Sequence, residues 1–480
     1  MRHFVFIHRV VRNALLVTLL GALTACGFST IQPDSSGDNR NSVVYNDETS
    51  EASTKREVGD PVSEGDVIVV DDAPAVTDGE TFLGWESNEG ELMQPGETYT
   101  VGEDAPEFRA VRHPNEAVEI VLSNVRAGIQ TGNPGFALDI DQLTVAVGAS
   151  YTDVAGQASG SVDLLSWDGS NWLHEIRLTV GDVQRTPGLD LFGNSLDLDA
   201  NRLIVGAPLS NNTSGAAYLF EKQGAVWEHV NTFVSPSPTQ NGLFGADVAL
   251  SGDRVFVVES PANTKAEVHV YEQGAAGTWK LTQSFEHSNN PGDHRIDEVA
   301  ADDNTLVFIG QPDTGIPPNG VSVKSWDGSA WQTETIAIPS GAQPESIDLK
   351  DNRLVVGVPD KYCALVFDRG SNGTWSAANP DLMTCDDQTS HPTAGVAVAT
   401  TDSMVAVGDY VANTSRGEVL GFRDTGAGWS SVEIQGDSDG GQAGYTLAMN
   451  EHLLVTGRRV MGGSTDTVVA TVQPTAALFD

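Results

Sequence analysis

Residues 191–208 read LFGNSLDLDANRLIVGAP, and GAAYLF at 215–220 and Trp227 follow them. Ser195–Leu198 alternates polar and apolar side chains, which predicts a strand with one buried face. Leu203–Val205 is a continuous apolar run, which predicts a strand that is buried on both faces. Gly and Pro residues separate these runs and mark turns. The stretch therefore predicts short β-strands joined by tight turns.

The same pattern recurs from about residue 114 to the end of the chain. Seven apolar runs end at Gly148, Gly206, Val258, Gly310, Gly357, Gly408 and Gly457, and six of them are followed by Trp172, Trp227, Trp279, Trp331, Trp375 and Trp429. Each unit carries four strand signals, and no stretch shows a sustained helical period. Four antiparallel strands in each of seven repeats predict an all-β fold, a seven-bladed β-propeller.

The seventh unit is incomplete, because no Trp and no fourth strand follow Thr467–Val472. An orphan strand signal, Ala117–Leu122, precedes the first unit at the distance at which a fourth strand precedes the next unit elsewhere. We expect residues 117–123 to complete the last blade. Such closure by the N-terminal strand removes exposed sheet edges, which are aggregation sites.

The repeat resembles the FG-GAP repeat of integrin-α-type propellers. Phe192-Gly193, Phe244-Gly245 and Gly206–Pro208 match that pattern in full, whereas Gly148-Ala149 and Gly357–Pro359 match in part. The resemblance covers about residues 117–473 and implies a propeller at 114–480 that serves in binding or adhesion. Its long polar loops, between strands two and three and between successive blades, share one face, which we call the loop-rich face.

Integrin-type propellers often hold Ca²⁺ in an Asp-rich loop before the second strand of a blade. This chain has short turns there, such as Asp199–Asn201, and its nearest remnant of the motif is Asp437–Gly440. Ca²⁺ needs six to eight oxygen ligands, and these short turns have too few carboxylates to enclose it. We therefore expect no cofactor and no metal, while calcium at the remnant stays open. We find no catalytic motif, and we interpret Asp197 and Asp199 as strand-edge and turn residues.

The N-terminus has the features of an export signal. Arg2, Arg9 and Arg12 precede a short apolar core, and Leu23–Cys26 resembles the bacterial lipobox. This resemblance implies a signal peptide at 1–25, lipidation of Cys26 and, because Gly27 follows, transport to the outer membrane. The alternative is an ordinary secretory signal with a chance Cys. The polar composition of residues 26–60 predicts a flexible linker behind the anchor.

A small β module is predicted at 61–113. The pattern Gly79–Trp85, Pro95–Tyr99 and Phe108–Ala110 resembles the internalin-type B-repeat of bacterial surface proteins. Phe82 and Trp85 are the large apolar side chains that a domain of this size needs for its core. A sugar site at Trp85 is the alternative.

Two cysteines remain after Cys26. In an exported protein Cys363 and Cys385 suggest one disulfide within a blade. Two separate buried thiols are the alternative.

The net charge of the chain restricts the kinds of partner that it can bind. With 66 acidic and 26 basic residues and a net charge of −40, the chain lacks the cations that neutralise phosphates, so we expect no nucleic acid. We expect a non-catalytic platform that binds a protein or glycan on the loop-rich face and meets the membrane only through its lipid. The alternatives are a periplasm-facing scaffold for envelope assembly and a hydrolase or lyase with an axial pocket. The hydrolase or lyase requires polar side chains on the innermost strands, which we interpret as largely apolar. The recurrent Trp residues are expected to pack between blades.

Overall fold

The computed structural model describes residues 43–479 except 50–51, 59–61, 75–78, 89–90, 102–105, 123–136, 155–156, 184–187, 262–264, 276, 287–295, 311–319, 340–341, 362, 377–380, 385–392, 413–415, 436–441 and 461–466. The fold is all-β, as predicted. Helical conformation in this part of the chain is confined to one turn at Ser210–Thr213 and 3₁₀ turns at Pro359–Lys361 and Ala476–Leu478. No helix within the described ranges is long and apolar enough to cross a membrane.

The N-terminal module is a five-stranded sheet beside a two-stranded ladder. Its strands are β1 (Val43–Thr49), β2 (Ala52–Val58), β3 (Val67–Val69), β4 (Glu80–Ser87), β5 (Leu92–Met93), β6 (Thr98–Thr100) and β7 (Glu107–Pro114). The sheet order is β2-β1-β7-β4-β5, and β3 pairs with β6. Tyr45, Trp85 and Phe108 form its aromatic core, with ring centroids 5.0 Å apart for Tyr45–Trp85 and for Tyr45–Phe108. Trp85 is therefore a core residue, as predicted.

The module begins earlier than the sequence predicts. Strands β1 and β2 lie within 26–60, so the prediction of a flexible linker is wrong for these two segments. Val43 and Tyr45 are buried, because β1 pairs in parallel with β7 and adds these side chains to the core. Few apolar residues occur in this stretch, and their partners come from a strand about 60 residues later. The predicted signal peptide and Cys26 lie outside the described residues.

Each repeat unit forms a four-stranded antiparallel sheet. We number the seven sheets found in the described ranges along the chain and give their strands in spatial order: sheet 1, β9 (Leu138–Asp141), β10 (Thr144–Ala149), β13 (Ser161–Trp167) and β14 (Trp172–Leu178); sheet 2, β15 (Ser195–Asp199), β16 (Arg202–Ala207), β17 (Ala216–Gln223) and β18 (Val226–Phe233); sheet 3, β19 (Phe244–Ser251), β20 (Arg254–Glu259), β21 (Glu267–Gln273) and β22 (Trp279–Glu286); sheet 4, β23 (Ile296–Asp302), β24 (Thr305–Gly310), β25 (Gly320–Trp326) and β26 (Trp331–Ala337); sheet 5, β27 (Ser346–Lys350), β28 (Arg353–Val358), β29 (Cys363–Asp368) and β30 (Asp381–Thr384); sheet 6, β31 (Ala397–Thr400), β32 (Met404–Asp409), β33 (Glu418–Asp424) and β34 (Trp429–Gln435); sheet 7, β35 (Thr446–Met449), β36 (Leu453–Val460), β37 (Thr467–Pro474) and β8 (Val118–Leu122). A two-residue ladder, β11 (Asp153–Val154) with β12 (Gln157–Ala158), lies in the loop of sheet 1.

The first strand of each sheet contacts the first strand of the next, and β35 contacts β9. A hydrophobic cluster fills each junction between successive sheets. The recurrent Trp residues belong to these junctions: Trp227 and Trp375 are buried in two of them, and Trp279 and Trp331 pack against others. Packing between sheets is therefore their role, as predicted.

The glycines of the repeat bring neighbouring sheets into backbone contact. A Cβ atom placed on Gly206 of sheet 2 would lie 2.3 Å from the carbonyl oxygen of Gly245 in sheet 3. A Cβ atom placed on Gly408 of sheet 6 would likewise lie 2.0 Å from the carbonyl oxygen of Gly444, two residues before the first strand of sheet 7. Gly245 and Gly444 also have φ near +80°, a region that other residues rarely adopt. Both glycines of each pair are therefore required by this close approach of the two backbones.

The small module docks on sheets 1 and 7. The indole Nε1 of Trp167 donates a hydrogen bond of 2.8 Å to the carbonyl oxygen of Arg112, and Arg109 Nη1 donates one of 3.0 Å to the Asp168 carbonyl. Leu83 and Val111 of the module are buried in the same cluster as residues of both sheets. The module is therefore fixed to the ring by packing and by hydrogen bonds.

Strand β8 completes sheet 7, as predicted. It pairs antiparallel with β37, which places Leu122 opposite Val468 and Val121 opposite Val469. Leu122 is 4% exposed and packs with sheet 1, whereas Val121 is 62% exposed. Arg458 of β36 also forms a salt bridge with Glu119, in which Nη2 and Oε1 lie 2.5 Å apart. The two ends of the described ring therefore meet within one sheet.

We expect Leu122→Ala to lower the free energy of unfolding by about 2–5 kcal/mol, because it leaves a cavity in a buried junction. The control Val121→Ala, one residue away and exposed, is expected to change it by less than about 0.5 kcal/mol. Urea unfolding of both variants measures the difference. Equal stability of the two variants, or unchanged melting after deletion of 117–122, would contradict the closing role of β8.

Candidate functional site: an acidic axial cavity with an aromatic mouth

The first strands of the sheets surround a cavity of about 730 Å³ on the axis of the ring. Alternate residues of a strand point to opposite faces, so one set faces the cavity while the other packs into the junctions. Leu196 and Leu198 belong to the packed set, and Asp197 between them lines the cavity. In such strands the polar side chains face the cavity, and backbone and side-chain atoms of apolar neighbours such as Leu196 and Leu198 complete its wall.

Carboxylates are the main polar groups of this wall, beside many apolar residues, so our interpretation of the innermost strands as largely apolar overlooks a convergent acidic group. The acids among the described lining residues include Asp139, Asp141, Asp197, Asp199, Asp247, Glu298, Asp302, Asp348 and Glu451. Lys350 is the lysine that lies among them. Asp197 lies in the edge strand β15 and Asp199 ends that strand at a turn, in agreement with our interpretation of these residues. The sequence shows the apolar alternation, but it does not show that the acids converge on one axis.

Five of these carboxylates tie neighbouring sheets together. Each accepts a hydrogen bond from a backbone N–H on the first strand of the following sheet: Asp139 from Leu198 (2.7 Å), Asp197 from Leu250 (2.5 Å), Asp247 from Val299 (2.7 Å), Glu298 from Ile347 (2.6 Å) and Asp348 from Thr400 (2.7 Å). The bonds link sheets 1 to 6 in sequence. Such a hydrogen bond contributes about 0.5–1.5 kcal/mol when the acid is neutral and about 1.5–3 kcal/mol when it is charged, so these acids have a structural role.

Burial makes these acids weak. It raises the pKa of Asp247 and of Asp348 to about 7, and that of Asp141 to about 6. Asp139 and Asp197 lie against each other, and burial followed by their mutual interaction holds the pKa of Asp197 well above its usual range. Burial acts against the charge of Lys350, but the carboxylates of Asp302 and Glu451 outweigh it and raise its pKa. Part of the ring is thus protonated at neutral pH.

The mouth of the cavity on the loop-rich face carries two aromatic rings. Tyr410 follows the second strand of sheet 6, and Tyr445 precedes the first strand of sheet 7, so connections from the loop-rich face position both. Their ring centroids are 4.8 Å apart with planes inclined by 37°. They line a cavity of about 320 Å³ together with Asn194, Asp297 and Glu345. The mouth therefore combines flat apolar faces with acids and an amide.

The acids of the mouth influence each other and the rings. Burial, then the charges of Asp297 and Asp360, raise the pKa of Glu345. Burial and then Glu345 raise the pKa of Tyr410. This arrangement favours a cationic group placed against the rings, because it would relieve the repulsion and meet an aromatic face. Sequence reasoning missed Tyr410 and Tyr445, since they lie in different units and no motif marks either one.

Other predicted features of this face are described in part. The connection Ser235–Leu243 is described throughout, and the exposed Val234 directly precedes it. The exposed Leu189 lies in the connection between sheets 1 and 2. The loop 311–319 and the calcium remnant Asp437–Gly440 lie outside the described residues. For the disulfide, the backbone places Cys363 opposite Thr384. Cys385 itself is not described, so the bond stays a prediction.

The comparisons with known proteins concern mainly the repeat. Residues 172–220 match the family model described as the FG-GAP repeat, and this stretch includes Phe192-Gly193 and Gly206–Pro208. No curated protein gives a significant match. A crystal structure of a protein from Lactobacillus plantarum is similar at 15% identity and a TM-score of 0.45. That alignment covers 67% of this chain and 92% of the other.

The raised pKa of Asp247 predicts a pH-dependent stability. Between about pH 4 and pH 7 the folded chain holds a proton at Asp247 that the unfolded chain has lost, so stability falls as pH rises through this window. We expect Asp247→Asn to remove a slope on the order of 1 kcal/mol per pH unit. The amide oxygen still accepts the Val299 N–H. Urea unfolding from pH 4 to 8 measures the slope.

The exposed Asp253 in the same sheet offers the control. Asp253→Asn is expected to leave the slope unchanged. If Asp247→Asn and Asp253→Asn give the same pH profile, Asp247 does not bind its proton in the folded state as we expect.

Proposed function

We propose that the chain is a lipid-anchored protein of the outer membrane whose seven sheets are the blades of a closed propeller. The loop-rich face of this propeller binds a partner without catalysis. The FG-GAP match at 172–220 supports a binding or scaffold role, and the all-β ring supplies a rigid support for variable loops. The resemblance of the small module to internalin-type B-repeats agrees with a surface location.

One observation carries the proposal: Tyr410 and Tyr445 stand together at an acidic mouth. Aromatic faces and carboxylates recognise the ammonium or guanidinium group of a Lys or Arg side chain. The net charge of −40 adds long-range attraction for a basic partner and speeds its association. We therefore propose a cationic segment of a partner protein as the ligand. A glycan stacked on the tyrosines is the other ligand class that the sequence left open.

We expect Tyr410→Ala and Tyr445→Ala each to weaken binding of a Lys/Arg-rich peptide at least tenfold, with little change in melting temperature. Leu189→Ala, which alters an exposed apolar side chain on the loop-rich face, is the control. Fluorescence anisotropy with a peptide library, beside a glycan array, measures the effect. Binding of glycans alone would replace the protein ligand, and equal binding by all variants would remove the mouth as the site.

The proposed anchoring has its own test. Cys26→Ala should move the protein from the membrane to the soluble fraction and abolish incorporation of a labelled fatty acid, because no other acylation site is proposed. Protease treatment of intact cells then separates the surface protein from the periplasm-facing scaffold: cleavage supports the first, and protection supports the second. An unlipidated wild-type chain would contradict the anchor.

The axial carboxylates favour a second candidate, a hydrolase that works in the cavity. Asp139 and Asp197 contact each other, but their surroundings differ, as they do for the paired general acid and base of many enzymes. Each, however, uses one oxygen to accept a backbone N–H from the next sheet, which explains its placement without chemistry. Turnover of a glycoside that Asp197→Asn abolishes, with the fold intact, would favour the enzyme over the binding platform.

A further inference from the structure

Sheet 3 departs from the repeat where β20 ends and β21 begins. Sheets 1 and 2 end their second strand with Ala149 and Ala207, whereas sheet 3 has Glu259 there. Glu259 lies opposite Glu267 in the antiparallel register, and His269 follows two residues later on the same face of β21. Three side chains that can ligate a metal therefore meet in one place.

Sheet 6 shows which part of this group is specific to sheet 3. It also has acids at the two paired positions, Asp409 and Glu418, which lie opposite each other. Where sheet 3 has His269, however, sheet 6 has Leu420. The imidazole thus distinguishes the sheet 3 group from an acidic pair that occurs elsewhere in the ring.

The distances fit direct coordination. His269 Nε2 lies 3.0 Å from Glu259 Oε2 and 3.7 Å from Glu267 Oε2, and the three ligand atoms lie within 4.8 Å of one another. Bonds of about 2.1 Å in a tetrahedral site place ligand atoms about 3.4 Å apart. The observed distances lie on both sides of this value, so small side-chain shifts would let all three atoms bind one ion.

The surroundings hold the imidazole in the orientation that a metal requires. His269 is fully buried, and its Nδ1 lies 2.8 Å from Ser284 Oγ, which leaves Nε2 facing the two carboxylates. Ser235 Oγ donates a hydrogen bond of 2.8 Å to Glu259 Oε2. Metal-binding histidines are usually fixed in this way through their second ring nitrogen. The Glu267 side chain is 34% exposed, which gives the ion a path and leaves a position for water.

We propose that Glu259, Glu267 and His269 bind one Zn²⁺ ion beneath the loop-rich face. Two carboxylates neutralise a divalent cation, and a mixed set of imidazole nitrogen and carboxylate oxygen suits Zn²⁺. Ca²⁺ is a poor match, since it takes six to eight oxygen ligands. Because Glu259 also holds Ser235, the ion would fix the connection between β18 and β19 to sheet 3 and stiffen this part of the face.

Elemental analysis of the purified full chain tests the proposal. After treatment with a chelator, the chain is dialysed against Zn²⁺ in excess Mg²⁺, which occupies weak carboxylate sites. We expect one tightly held Zn²⁺ per chain and a rise in melting temperature on reloading. Co²⁺ in its place should give the visible absorption of a four-coordinate site. A chain that retains no stoichiometric Zn²⁺ would overturn the proposal.

The variants use a matched pair on adjacent strands. Glu267→Gln should lose the bound Zn²⁺, whereas Glu286→Gln should keep it, because Glu286 lies opposite Glu267 and pairs with Lys265. Ser284→Ala, which keeps all three ligands, should weaken affinity about 10–100-fold. Equal Zn²⁺ retention in the two Gln variants would mean that the group is a hydrogen-bonded His–Glu network only. Neither outcome depends on binding at Tyr410 and Tyr445.

Discussion

Close backbone contact between neighbouring sheets is the constraint on which the ring depends. At the junction of sheets 2 and 3, Gly206 lies so near the Gly245 carbonyl that no side chain fits between them. On the axis, Asp197 reaches across the same junction to the Leu250 N–H. One contact demands the absence of a side chain, and the other demands a short acidic one. At this junction the two contacts hold the sheets close together, and the hydrophobic cluster fills the remaining space.

This construction leaves the ring with an interior that contains carboxylates of raised pKa. Burial favours the protonated form of acids such as Asp247 and Asp348, so the repulsion among them is reduced at neutral pH. The proposed binding of a cationic partner instead uses residues near the ends of the strands, where Tyr410 and Glu345 line the mouth of the cavity. The scaffold and the proposed binding face thus use carboxylates for different purposes, and solvent access separates the two uses.

Local patterns in the sequence predict much of the fold and little of the site. Trp85 is identifiable as a core residue because a small domain needs its few large apolar side chains inside. Strand β8 is identifiable as a closing strand because of its strand signal and its distance from the first repeat unit. The convergence of Asp139 with Asp197, and of Tyr410 with Tyr445, depends on how units are arranged about the axis, which no single unit encodes. Strand β1 was missed for a related reason, since its apolar residues are buried only by β7 from a distant part of the chain.

The docking of the small module makes the two ends of the ring axis different. Leu92 and Gln94 lie at the edge of the axial cavity together with His452 and Gln142, residues of the turns that join first and second strands. This end is opposite to the one that carries Tyr410 and Tyr445. Leu92 and Gln94 therefore narrow one end of the axial cavity, and a ligand that enters past the tyrosines meets the ring from the end farther from the module.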